Sequence, residues 1–157
     1  MTATLIRPAP VRRSVFVNAT PEHAFEVFTA GFGRWWPKTH SVGSAPQKDA
    51  VLELRQGGRW YEVGEDGSQQ DWGRVQVWEP PRRVVLIWSI GADWKCDPNL
   101  KTEVEITFTP EGSGVRVDLE HRKLELMGAQ AEAMAAAIGA EGGWSGLLKI
   151  FAQVAEA

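Results

Sequence analysis

From Val115 to Arg122 the chain alternates without interruption: Val115, Val117, Leu119 and His121 fall on one face, and Arg116, Asp118, Glu120 and Arg122 on the other. A period of two is the signature of a strand with one buried and one wet face. Residues 103–108 repeat it, with Val104, Ile106 and Phe108 opposing Glu103, Glu105 and Thr107. Pro110-Glu111-Gly112-Ser113-Gly114 joins the two runs as a hairpin. Two half-buried strands are not stable alone. The rest of the chain must extend the sheet and cover its apolar face.

Strand propensity recurs at residues 11–17, 50–55, 59–63, 72–78 and 84–90, which makes seven candidate strands with the hairpin. Gln56-Gly57-Gly58 and Glu65-Asp66-Gly67-Ser68 are tight turns, so their neighbours must pair antiparallel. Thr20-Pro21-Glu22 starts a helix over about 21–30, with Phe25 and Phe28 at helical spacing. A short turn through Trp35 and Trp36 follows and Pro37 ends it; residues 39–48 read as a loop. Residues 130–138 form an Ala-rich helix. After Gly142-Gly143, the residues Trp144, Leu147, Leu148, Phe151, Val154 and Ala155 make one apolar stripe. That stripe is the expected cover. The fold class predicted is α+β: a curved seven-stranded antiparallel sheet around a long C-terminal helix, with one or two short helices after the first strand. Residues 1–10 read as a flexible tail and 11–157 as one domain.

Composition narrows the function classes. A net charge of −3 removes a broad basic footprint, so no nucleic-acid partner is expected. One cysteine, Cys96, excludes an internal disulfide and a Cys-based metal cluster. His23, His40 and His121 lack metal-site spacing, so no metal and no cofactor is expected. Nucleophile and phosphate-loop motifs are absent, and no catalytic residue is assigned. No apolar run approaches the ~20 residues of a membrane span. The first ten residues lack a signal peptide's apolar core, and the chain reads as cytoplasmic. The unusual count is eight Trp against one Tyr, which suits a bulky core or an aromatic-lined cavity.

Several stretches, in order, resemble one family. They are Asn18-Ala19-Thr20-Pro21-Glu22 with Phe25 and Phe28; Gly57-Gly58-Arg59-Trp60-Tyr61-Glu62; Trp72-Gly73-Arg74-Val75 leading to Trp78-Glu79-Pro80-Pro81-Arg82-Arg83-Val84, then Trp88; 103–106 with 115–121; and Gly142-Gly143-Trp144. This pattern is similar to the START-like, SRPBCC superfamily, in the branch named for the activator of heat-shock protein 90 ATPase. The resemblance covers about 11–155 and implies the helix-grip fold, with a deep cavity between sheet and C-terminal helix. It implies a small hydrophobic or amphipathic ligand. A cyclase- or hydrolase-like enzyme using Glu62 or His121, and a domain that binds a chaperone, are the alternatives; a homodimer is left open. The expected ligand-binding residues are Trp36, Trp60, Glu62, Trp88, Ile106, Val117, Leu119, His121, Trp144 and Leu148. Glu62 is expected as the principal polar anchor and His121 as a second contact near the rim. Both expectations require the Trp60/Glu62 face to be the inner one, which alternation alone does not decide.

Overall fold

A computed structural model describes residues 8–157, so most of the tail expected over residues 1–10, namely 1–7, lies outside the described residues. The elements run β1 (Val11–Val17), α1 (Pro21–Thr29), α2 (Phe32–Trp35), β2 (Gln47–Leu52), β3 (Arg59–Gly64), β4 (Gln69–Glu79), β5 (Arg83–Trp88), β6 (Thr102–Glu111), β7 (Gly114–Arg122), a 3-10 segment (Leu124–Gln130), α3 (Ala131–Gly139) and α4 (Trp144–Glu156). The seven strands form one antiparallel sheet in the order β1-β7-β6-β5-β4-β3-β2. Every neighbouring pair from β2 to β7 is consecutive in the chain. Only β1 pairs at long range, with Val11 opposite His121 and Val17 opposite Val115. The helix-grip class expected from the sequence is the one observed.

Local chemistry explains the boundaries. The Thr20 side chain caps α1 by accepting the His23 N–H at 3.1 Å, and Pro21 occupies the first helical turn. β2 starts and ends about three residues before its expected span of 50–55. The Glu53 carboxylate accepts the Arg59 N–H at 2.7 Å, and the Glu53 N–H donates to the Arg59 carbonyl at 2.9 Å. These bonds draw residues 53–58 into the turn and leave Gln47 to Leu52 to pair with β3.

One glycine is required by close approach. Gly73 lies opposite both Trp60 and Trp88 in register. A Cβ there would stand 1.7 Å from the Ile87 carbonyl oxygen and 3.5 Å from the Trp60 ring. Without it, the Trp60 and Trp88 rings meet edge-on across β4, centroids 5.5 Å apart.

The concave face is the Trp60/Glu62 face: both side chains are buried, as are Val104, Ile106 and Phe108 of β6 and Val115, Val117, Leu119 and His121 of β7. α4 buries Trp144, Leu147, Leu148 and Phe151 against it. The convex face carries the charges. Arg122 there bonds Glu103, Glu105 and Glu120 at 2.8–3.1 Å. Among the described residues no helix is long and apolar enough to cross a membrane.

Candidate functional site

The interior divides into a filled half and a hollow half. Phe25, Phe28, Phe32, Phe108 and Phe151 interlock under α1 and α4 with centroids 5.1–6.4 Å apart. Toward the N-terminal end of α4 lies a cavity of about 510 Å³. Its walls come from Trp36 after α2, Trp72 within β4, the end of β5, the loops 39–42 and 90–94, the end of α3, and the turn into α4 with its start.

Five tryptophans stand in that wall: Trp36, Trp72, Trp88, Trp94 and Trp144. Four of them touch: Trp36–Trp72 at 5.2 Å, Trp36–Trp144 at 6.0 Å and Trp88–Trp144 at 5.8 Å. Ile90, Ile138 and Leu147 fill between them, and among the described residues polar side chains enter only from Thr39, His40 and Ser41. A mostly apolar concavity with a few polar groups on one side is the usual form of a small-molecule site.

Two buried polar residues hold this wall from behind. Glu62 is 1% exposed. Its carboxylate accepts the Ser41 hydroxyl at 2.6 Å, the Val42 and Gly43 N–H groups at 2.5 and 3.2 Å, and the Trp72 indole N–H at 2.8 Å. A buried carboxylate must be matched by donors, and four protein donors match this one. What it holds is the loop that forms the polar side of the cavity.

His121 is fully buried at 0% exposure. An indole can only donate, so the Trp144 N–H, 3.2 Å away, makes His121 Nδ1 an acceptor. The neutral ring then carries its proton on Nε2 and donates to Thr102 Oγ1 at 2.9 Å, and the Thr102 hydroxyl donates to the Trp88 carbonyl at 2.9 Å. Burial pushes the imidazole down to about 3, so the ring is neutral at physiological pH. His121 thus ties together two wall tryptophans on different elements.

The rim is tied in the same way. The His40 carbonyl accepts the Trp36 indole at 2.9 Å and the Gln47 amide at 3.0 Å. The His40 ring donates from Nε2 to the Gly142 carbonyl at 2.7 Å, because a carbonyl only accepts. This joins the 39–43 loop to the turn before α4.

Of the expected site residues, the structure places Trp36, Trp88 and Trp144 in the cavity wall. Trp60, Glu62, Ile106, Val117, Leu119, His121 and Leu148 are buried, but they stand behind the wall or in the filled half. The wall also holds residues that the sequence reading did not list, among them Thr39, His40, Ser41, Trp72, Ile90, Trp94 and Ile138. Most of these sit on irregular segments, where no period marks an inward residue. The surplus of Trp was the one available signal. Among the described residues no cluster of three or more His, Cys, Asp or Glu is placed to hold a metal.

Comparison with known proteins agrees with this architecture. The family described as Activator of Hsp90 ATPase homolog 1-like protein matches residues 18–156. None of the curated proteins matches. Among solved structures, an anthrahydroquino-gamma-pyrone synthase, Txn09, complexed with SUM is 38% identical, with 94% of this chain and 97% of that chain covered and a TM-score of 0.66. CalC from Micromonospora echinospora, a self-sacrificing resistance protein, is 34% identical over 93% of each chain, TM-score 0.68. The Aha1 dimer from Colwellia psychrerythraea shares the fold at 14% identity, covering 95% of this chain and 97% of that one, TM-score 0.64.

Proposed function

The chain belongs to the family of Activator of Hsp90 ATPase homolog 1-like proteins, and from that premise we propose that its cavity binds a small hydrophobic or amphipathic organic molecule, aromatic by preference. One observation carries this reading: five tryptophans and five aliphatic side chains line about 510 Å³, and among the described residues the polar side chains come from one loop, Thr39 to Ser41. A guest with an apolar body and a polar edge suits such a wall. The 38% identity to a protein named as an anthrahydroquino-gamma-pyrone synthase supports an aromatic body.

Titration calorimetry with a hydroxylated anthraquinone and with laurate tests it. Saturable 1:1 binding of at least one probe is expected. Ala137 is exposed and stands in the wall. Ala137→Trp should therefore block the cavity and abolish binding without lowering the melting temperature. Binding that survives this substitution would place the probe elsewhere and overturn the proposal.

A second reading has one observation in its favour. The 38% identical relative is a synthase, and His40 is the one titratable side chain among the described residues of the wall. Catalysis on the bound molecule would then use His40 as the proton-transfer group. Conversion of a bound probe, lost in His40→Gln while binding persists, would support it; binding without conversion supports the first reading, binding alone.

A further inference from the structure

Trp94 differs from the other wall tryptophans in three ways. It is 50% exposed, whereas Trp36, Trp72, Trp88 and Trp144 are buried. It has no aromatic partner among the described residues, whereas those four form a connected set. Its backbone is left-handed, at φ 59°. For a bulky side chain that region is a true outlier, because the Cβ crowds the following carbonyl oxygen.

The loop explains how this backbone persists. The Trp94 N–H donates to the Gly91 carbonyl at 2.9 Å, and the Gly91 N–H donates to the Lys95 carbonyl at 3.0 Å. The Lys95 N–H donates to the Asp93 carboxylate at 3.1 Å, and the Asp97 N–H to the Ser89 carbonyl at 2.8 Å. Ile90 and Cys96 close the loop with a bridge. The surroundings therefore over-determine a strained conformation whose visible consequence is to set a bare indole in the cavity wall. Strain held in this way clusters at active sites, ligand clamps and switch regions.

We infer that Trp94 is a ligand-binding residue that stacks on one face of a planar, fused-ring guest and sets the preference of the site for flat aromatic molecules over flexible aliphatic ones. This rests on the reading of the cavity as a small-molecule site. The connected tryptophans supply the fixed side of the site. The free face of Trp94 supplies the other side, and it gains more from a ring than from a chain, because stacking adds to area burial.

The test uses the full chain, with alizarin as the planar probe and laurate as the aliphatic one, in titration calorimetry of the wild type, Trp94→Phe, Trp94→Ala and Trp94→Gly. Trp94→Ala should lose roughly three- to tenfold in alizarin affinity and less than twofold in laurate affinity, and Trp94→Phe should recover most of the loss. Equal losses for both probes would make Trp94 plain wall, and no loss would mean that it does not touch the guest; either overturns the inference and leaves the binding reading standing. A wild type that binds neither probe overturns both. Trp94→Gly should melt no lower than Trp94→Ala, because glycine accepts the left-handed backbone. A Trp94→Gly protein that melts clearly lower would remove the strain argument.

Discussion

A histidine on an apolar strand face is either an unmet cost or a wired connector, and the partners of His121 decide which. Its two ring nitrogens are both engaged, to Trp144 and Thr102, and burial holds it neutral at about 3. That value lies below the ordinary 6.5, so between the two pH values the unfolded chain takes up a proton that the folded chain refuses. The stability tied to the neutral ring is complete above about pH 6.5 and is lost as pH falls toward 3, at about 1.4 kcal/mol per pH unit where the proton difference is full. We expect the gap in unfolding free energy between wild type and His121→Gln to shrink by about that amount from pH 6 to pH 5, measured by denaturant melts. Below pH 5 the convex carboxylates add to the loss. Burial tends to raise Glu103 and Glu105, but hydrogen bonds from Lys123, Arg122 and Arg83 outweigh it and hold both low. Glu62 leads to a second expectation. Glu62→Gln replaces one acceptor oxygen by a donor facing donors, which should cost about 1–3 kcal/mol in urea unfolding. Because it acts through the Ser41–Gly43 loop, it should weaken polar and apolar guests alike rather than select between them.

At the scale of elements, the sheet is shaped by what Gly73 lacks. With Trp60 and Trp88 on either side of it in register, the middle of β4 is a gap that two large rings close. Gly73→Ala should destabilise by roughly 3 kcal/mol or more, since the Ile87 carbonyl is backbone and cannot yield. The check is a thermal melt of the variant, with near-ultraviolet circular dichroism reporting the tryptophan packing. A variant that melts with the wild type would mean that the strand shifts at no cost. The strands and helices were largely legible from alternation, turn residues and the Thr20-Pro21 cap. The bounds of β2 were not, because side-chain and backbone bonds between Glu53 and Arg59 reassign residues that look strand-like in isolation.

At the scale of the whole molecule, the core runs continuously from Val11 on β1 through the sheet to Ala155 on α4. If residues 11–157 fold as one unit, tryptophan emission and far-ultraviolet circular dichroism should give coincident urea transitions, and a bound guest should move both together. Separate midpoints would divide the chain. Seven strands, a C-terminal cover and an inward His121 follow from periodicity, because alternation and the helical stripe are local properties that each stretch carries with it. The family pattern, too, is written in short stretches whose order survives in the sequence. Three things required the tertiary structure. The pairing of β1 with β7 brings the first and last strands of the chain together across most of its length, and no turn residue announces it. Which face of β3 is inner depends on the side α4 covers. The cavity belongs to loops, with Ser41, Ile90 and Trp94 brought to it by contacts remote in sequence. Glu62 and His121 show the same division: alternation sets the face on which each side chain lies, but only the packed fold determines that their hydrogen bonds are spent on the wall of the site.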